Sequence, residues 1–259
     1  NVRVWSLATG EERVPPLHHD DDMILALAFH PDPKVARLLT AGKDHTARLW
    51  STKTGEPIGQ TMRHEAGIWD ASFSADGSRV VTAGAKGTAR LWSADTGKPL
   101  DVPMRHEDDW IESVWFSPSG NHILTRSYSR AAYLWSAGPS SRPAIQLRTD
   151  FKTITARPSP DGSLVAIGDY HGQGRVQFWD LGTQELLGPE IRHRSSILML
   201  CFSPDGQQLA TAGKDGRTRI WDVQTRKPLD FELKHGKGLR VVVYSPDGEF
   251  IATGCTNGS

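Results

Sequence analysis

Six tryptophans recur along the chain at an almost constant interval. They are Trp5, Trp50, Trp92, Trp135, Trp179 and Trp221, separated by 45, 42, 43, 44 and 42 residues. The last five close similar phrases, such as TAGKDHTARLW and TAGKDGRTRIW. Self-similarity at a fixed period of about 20–50 residues is typical of repeat architectures, in which each unit buries its apolar surface only by stacking on its neighbours. The chain is therefore interpreted as an array of units of about forty-three residues.

Each unit carries the signals of short strands joined by tight turns. Phrases such as FSADG, FSPDG and YSPDG contain Asp-Gly, and the last two also contain Pro. The tolerance of Gly for positive φ and the fixed φ of Pro favour tight turns. Runs such as SRVVTAG and QQLATAG combine apolar and β-branched residues between Asp-Gly or Pro-Asp-Gly turns and a closing Gly, and predict strands. About four strands per unit, stacked radially with protected edges, predict an all-β fold: a β-propeller of four-stranded antiparallel blades.

The two ends of the sequence complement one another. The C-terminal segment begins a repeat and the N-terminal segment completes one, so joining them places Trp5 43 residues after Trp221. We therefore expect a single domain over residues 1–259 with six blades, in which residues 1–17 and 235–259 form the closing blade. The alternative is an arc of a longer ring.

These phrases resemble the WD-repeat (WD40) family, and the resemblance covers essentially the whole chain. The family pattern has a His near the start of the repeat, a Ser or Thr on the second strand, an Asp in the next turn and a Trp near the end. The resemblance implies that these four side chains form a hydrogen-bonded tetrad. The first and fifth repeats supply the complete sets His19, Thr40, Asp44, Trp50 and His193, Thr211, Asp215, Trp221.

Other repeats depart from the pattern. Lys86 and Ser129 stand where the second and third repeats should have Asp, and the fourth repeat has Thr149 for His and Ile167 for Thr. We expect this fourth repeat to depend on apolar packing alone. The sixth repeat would combine His235, Thr253, Asn257 and Trp5.

Composition argues against several classes of function. Thirty basic residues balance thirty acidic ones, so no net field favours phosphate backbones or anionic lipid. This balance argues against nucleic acid as a partner. Arg3, Arg48, Arg90 and Arg219 recur two residues before Trp, as expected of solvent-facing strand positions. No apolar run is long enough to span a membrane. Cys201 and Cys255 are too few for a disulfide framework, which favours a cytoplasmic protein.

Catalytic and metal sites are not expected. Ser, His and Asp recur once per repeat, whereas a catalytic triad is a single convergent set. The run His18-His19-Asp20-Asp21-Asp22 is the densest group of metal-capable side chains, but contiguous residues rarely converge on one ion. We therefore predict a chain that is not an enzyme and has neither metal nor cofactor.

The resemblance further implies that partners bind the face carrying the His and Asp loops. The positions mapped there are Met23, Lys43, Trp69, Trp110, Glu112, Tyr128, Lys152, Lys214 and Arg240, with Leu25, Leu198 and Thr256 beside them. Trp69, Trp110 and Tyr128 would form one aromatic patch, or alternatively pack between blades. Exposed aromatic residues favour protein recognition. The sequence thus predicts a non-enzymatic scaffold for a protein or peptide, as a domain of a larger signalling or regulatory protein; the alternatives are an enzyme using the channel mouth and a histone or nucleic-acid binder.

Overall fold

The structure is a computed structural model that describes residues 1–19, 23–101, 103–106, 110–128, 132–138, 145–147, 153–169, 173–193, 195–235 and 239–255. The described residues form strands and turns, with a single 3-10 turn at Ala85–Gly87. They belong to two compact units, Asn1–Ser129 with Tyr133–Ala144, and Arg130–Ala132 with Ile145–Ser259. Within this described part no helix is long and apolar enough to cross a membrane.

The strands form antiparallel sheets in chain order. The first sheet contains β1 (Ile24–Phe29), β2 (Arg37–Gly42), β3 (Thr46–Ser51) and β4 (Pro57–Arg63). The second contains β5 (Ile68–Phe73), β6 (Arg79–Gly84), β7 (Thr88–Ser93) and β8 (Met104–Arg105). The third contains β9 (Ile111–Phe116), β10 (His122–Ser127), β11 (Ala132–Ser136) and β12 (Ile145–Leu147).

Three further sheets follow. The fourth contains β13 (Thr153–Pro158), β14 (Leu164–Asp169), β15 (Arg175–Asp180) and β16 (Leu186–Arg192). The fifth contains β17 (Ile197–Phe202), β18 (Gln208–Gly213), β19 (Arg217–Asp222) and β20 (Pro228–Lys234). The sixth has two strands among the described residues, β21 (Leu239–Tyr244) and β22 (Ile251–Cys255). The predicted all-β repeat of four-stranded sheets is confirmed for the first five.

The second strand of a sheet is its buried element. After an intermediate first residue, every residue of β2, β6, β14 and β18 is buried. A strand covered on both faces needs a nearly continuous run of small and apolar residues, as in RVVTAG and QLATAG. The turn before it is held locally: the Ser203 hydroxyl donates to Asp205 at 2.5 Å, and Gly206 has φ of 72°.

Each first strand contains a β-bulge near its N-terminal end. The register shifts by one residue at five positions, Leu25, Trp69, Glu112, Leu198 and Arg240, and again between Thr153 and Thr155. A bulge leaves one residue unpaired and turns its side chain away from the regular alternation of the strand. Five residues predicted to lie on the recognition face are therefore the bulged residues of their sheets.

The N-terminal segment forms a small hairpin in the first unit. Val2 pairs with Leu17, and Trp5 with Glu12, through isolated bridges. Val2, Val4, Val14 and Leu17 pack in one apolar cluster with Leu38 and Trp50 of the first sheet. In the second unit, β22 is at best half-buried, unlike the equivalent strands of the other sheets. The closing blade from residues 1–17 and 235–259, and the number of blades, stay predictions.

Candidate functional site

The first repeat contains a four-residue relay of hydrogen bonds. Trp50 Nε1 donates to Thr40 Oγ1 at 2.8 Å, and Thr40 Oγ1 lies 2.6 Å from His19 Nε2. His19 Nδ1 lies 2.9 Å from the Asp44 carboxylate, which can only accept and therefore fixes the proton on Nδ1. All four side chains are nearly inaccessible to solvent, so the network serves to hold strands in register.

The carboxyl of Asp44 is held in its charged form. Burial alone would raise its pKa, but hydrogen bonds from the Thr46 hydroxyl and backbone N–H, and from His19, outweigh burial and bring the pKa below its ordinary value. An ionised Asp44 is the acceptor that the His19 tautomer requires.

The second and third repeats keep three of the four members. His64 Nε2 lies 2.6 Å from Thr82 Oγ1, and Trp92 Nε1 donates to the same hydroxyl at 2.8 Å. In the third repeat His106, Thr125 and Trp135 repeat this arrangement at 2.7 and 2.8 Å. Lys86 occupies the Asp position of the second repeat in a left-handed conformation with φ of 62°, while Ser129 lies outside the described residues.

The fifth repeat differs from the expected tetrad. Trp221 Nε1 donates to Thr211 at 2.9 Å. Among the described residues, however, no hydrogen bond joins the His193 ring to the Thr211 hydroxyl or to the Asp215 carboxylate, and the ring meets only the backbone of Thr211. Instead Arg219 Nη1 lies 3.0 Å from each ring nitrogen of His193 and 3.0 Å from Asp215 Oδ2. A guanidinium has thus replaced the direct histidine–carboxylate contact.

The fourth repeat lacks the relay altogether. Ile167 is fully buried where other repeats have Thr, and Thr149 lies outside the described residues. Trp179 Nε1 is consequently buried with no acceptor among the described residues. Val176, Phe178 and Ile191 pack in the apolar cluster of this sheet. Apolar packing therefore stands in for the relay here.

The arginines two residues before Trp are not simple solvent-facing residues. The Arg48 and Arg219 side chains are only 17% and 19% exposed. Arg48 Nη2 lies 3.7 Å from Asp44, and Arg219 pairs with Asp215 and Glu232. The expectation of solvent-facing positions is wrong for these two, because a long guanidinium can reach the tetrad carboxylate from the neighbouring strand position. Arg3 is exposed at 55%.

Three aromatic rings of the first unit lie side by side, and we call them the aromatic row: Trp69, Trp110 and Tyr128. Trp69 and Trp110 stack with centroids 5.9 Å apart and an interplanar angle of 19°. Trp110 and Tyr128 lie 6.5 Å apart and are tilted by 51°. Lys43 extends the row, with its Nζ 5.8 Å from the centre of the Trp69 ring. Trp110 and Tyr128 are 54% and 59% exposed, and Trp69 is half-buried.

Backbone pairing explains why the row forms. The N–H of Tyr128 donates to the carbonyl of Trp110 at 2.9 Å, and that of Lys43 donates to Met23 at 2.9 Å. Trp69 is the bulged residue of β5, which frees its side chain to meet the ring from the next repeat. Met23 is exposed beside Lys43, so these predicted residues share one surface of the first unit.

Asp70 is a residue that sequence reasoning missed. Its Oδ2 accepts the backbone N–H of Val114 at 2.9 Å, joining β5 of the second sheet to β9 of the third. Asp70 directly follows the bulged Trp69, and Val114 lies four residues after Trp110. The equivalent first strands β1 and β17 have the sequences ILALAF and ILMLCF, without a charged residue. The presence of an aspartate in β5 is therefore the sequence signal that could have identified Asp70.

The remaining predicted residues do not belong to the aromatic row. Glu112 accepts from Arg126 at 2.5 Å and is partly neutralised by it. Lys214 and Arg240 are exposed in the second unit, whereas Lys152 and Thr256 lie outside the described residues. Asp20–Asp22 of the acidic run after His19 also lie outside them, and in the described part no three His, Cys, Asp or Glu side chains are grouped to hold a metal ion.

Comparison with known proteins gives one family and a distant relative. The family model described as WD domain, G-beta repeat matches residues 13–51, 55–93, 97–136, 188–222 and 228–259. The longest unmatched stretch, 137–187, includes most of the fourth repeat, which lacks the relay. The chain is 24% identical over 179 residues to Autophagy-related protein 16 of Arabidopsis thaliana, covering 69% of this chain and 34% of that protein. The chain thus spans about a third of the length of this relative. Because the family model covers well over half of the sequence and the repeated sheets carry its hydrogen-bonded relay, the chain belongs to the WD-repeat family of β-propeller proteins.

Proposed function

We propose that the chain is a non-enzymatic scaffold that binds a protein or peptide partner through the aromatic row. The observation that carries this proposal is the solvent exposure of Trp110 and Tyr128, together with the stacking of the half-buried Trp69 against Trp110. Large aromatic side chains dominate the energy of protein interfaces, because they bury much area and lose little conformational entropy. Membership of the WD-repeat family supports the same class of function.

The alternative that the rings serve only to pack neighbouring sheets accounts for Trp69 alone. Trp69 is half-buried, and its Nε1 has no acceptor among the described residues, so ring contacts hold it in place. Trp110 and Tyr128 leave more than half of their surface in solvent. A contiguous apolar surface of this kind favours a partner over a purely structural role.

The proposal is tested by affinity capture with the full chain and a Trp110→Glu, Tyr128→Glu variant. Phe231→Glu is the matched control, because Phe231 is 56% exposed but lies outside the row. We expect the row variant to lose its specific partners and the control to keep them, with thermal unfolding reporting that both are folded. Recovery of the same partners by the row variant would refute the site.

The proposal includes a reducing compartment such as the cytoplasm, supported by the free thiols of Cys201 and Cys255. It also includes a partner other than nucleic acid, supported by the balanced charge of the chain. Weak dependence of partner binding on salt concentration is the expected result, since phosphate recognition weakens steeply as salt rises.

A further inference from the structure

A groove lies between the fourth and fifth sheets of the second unit. It has a volume of about 600 Å³, within the ~300–1,000 Å³ range of ligand sites in proteins. It opens beside the turns that end the first strands, whereas the bulges lie at the beginning of those strands. Leu164, Leu187 and Val223 supply its apolar lining.

The charges that line the groove are unequal. Asp161, Asp205 and Asp222 contribute three carboxylates, against the single guanidinium of Arg226. That guanidinium lies 3.8 Å from the centre of the Phe178 ring, donates to the Val223 carbonyl and attracts the Asp222 carboxylate, so it offsets one of the three negative charges. The groove as a whole is therefore acidic with an apolar lining.

In two of the carboxylates, one oxygen is held by hydrogen bonds within its own turn and the other oxygen accepts none from the described part of the chain. Asp205 Oδ1 accepts from the Ser203 hydroxyl and the Gln207 N–H, and Asp222 Oδ1 accepts from the N–H and hydroxyl of Thr225. Nothing among the described residues donates to Oδ2 of Asp205 or Asp222. The same hydrogen bonds keep the pKa of both carboxyls below the ordinary value, so both are ionised at neutral pH. Acceptors that are already oriented cost a ligand little reorganisation.

We propose that this groove binds an extended peptide segment carrying arginine or lysine side chains, whose cationic groups meet the free Oδ2 atoms of Asp205 and Asp222 while their aliphatic stems cover Leu187 and Val223. Long basic side chains combine such an apolar stem with a cationic end. Carboxylates disfavour phosphate, which excludes nucleic acid as the occupant. This second site is independent of the aromatic row.

The test measures fluorescence anisotropy of a short fluorescein-labelled peptide of alternating arginine and alanine, titrated with the full chain. The Asp205→Asn, Asp222→Asn variant keeps an acceptor for each turn and removes both charges, so we expect binding to weaken about ten-fold or more. Gln224→Arg adds a cation to the exposed lining without touching either turn, and it should weaken binding as well.

The matched control is Asp247→Asn, since Asp247 occupies the same Ser-Pro-Asp-Gly turn with its Oδ1 bonded to Ser245 and Glu249, outside the groove. It should bind like the unmodified chain, as should Trp110→Glu, Tyr128→Glu. The proposal is overturned if no binding is measured, if the Asn pair binds unchanged, if either control weakens binding equally, or if a peptide with glutamate in place of arginine binds as well.

Discussion

Trp69 and Trp110 stack on one another although they come from different repeats and from positions that are not equivalent. Trp69 is the bulged residue of β5, whereas Trp110 precedes β9 and faces Tyr128 across the strand end. The two rings meet because the bulge turns Trp69 toward the next sheet, and because Asp70 ties the backbones of the two sheets together. The geometry of the aromatic row is thus set by the backbone of both repeats.

Asp70→Ala should loosen the aromatic row. The backbone N–H of Val114 would lose its acceptor, which costs about 1–3 kcal/mol when the group stays buried. We expect a weaker near-ultraviolet circular dichroism signal from the stacked indoles. Asp70→Asn keeps an acceptor oxygen and should largely preserve the signal. Equal spectra for the Ala variant and the unmodified chain would show that Asp70 does not position the rings.

Thr40→Val should destabilise the first repeat. Valine has the shape of threonine but leaves Trp50 Nε1 without its acceptor and His19 Nε2 without its partner. A loss of about 1–3 kcal/mol is expected for a buried polar group left unpaired. Chemical unfolding measures it, and Thr40→Ser, which keeps the hydroxyl, is the control. A Val variant as stable as the Ser variant would contradict the relay.

Stability should decline as pH falls from about 6.5 to about 4. Burial lowers the pKa of both His64 and His193 to about 4, aided by Arg90 and Arg219 respectively. The unfolded chain binds protons at these histidines between pH ~4 and ~6.5 while the folded chain does not, so stability is complete above ~6.5 and is lost below it. Across this whole window, each histidine accounts for a loss on the order of 3 kcal/mol in the free energy of unfolding.

The pH effect is measured by urea unfolding across this window. His64→Gln is expected to flatten the slope, whatever its effect on stability at neutral pH. An unchanged slope in that variant would mean that His64 takes up its proton equally well in the folded chain.

Gly97→Ala should cost more than Gly10→Ala. Both glycines have positive φ, 69° and 70°, so both substitutions carry the same backbone strain of about 1–2 kcal/mol. A Cβ on Gly97 would lie 2.1 Å from the Gln60 carbonyl oxygen, whereas one on Gly10 has nothing within 4 Å. Because the backbone strain is shared, the difference in stability between the two variants, measured by thermal unfolding, reports the steric clash with Gln60. Equal losses of stability would contradict the close approach of Gly97 to the Gln60 carbonyl.

We propose that residues 1–17 supply the outer strands of the sheet begun by β21 and β22. In that arrangement the amides of β22 that β21 does not pair with are protected from hydrogen exchange in the full chain. Deleting residues 1–17 should expose them, with β18 of the fifth sheet as the internal control. Equally fast exchange of those amides in both chains would favour an arc over a closed ring.

Local chemistry made the strands, the turns and the relay of the first three repeats predictable, because each depends on residues that recur within one unit. The bulges were not predictable, since an unpaired residue such as Trp69 is defined only by the strand opposite. The contact between Arg219 and His193 was not predictable either. The fifth repeat has all four residues of the tetrad, so its sequence gives no sign that a guanidinium competes for the histidine. The role of Asp70 was not predictable because its partner is the backbone N–H of Val114 in another repeat, and a backbone group has no sequence signature.

The bulges have a consequence for how such a protein acquires new partners. A bulged residue has no cross-strand partner, so it can be substituted without disturbing the pairs of the ladder. Leucine, tryptophan, glutamate, leucine and arginine fill the five bulges whose side chains are described, although the strands around them are alike. The bulged position of each repeat can therefore be substituted without changing the strand pairing. Substitutions at these positions would alter which partner is recognised while the sheets stay the same.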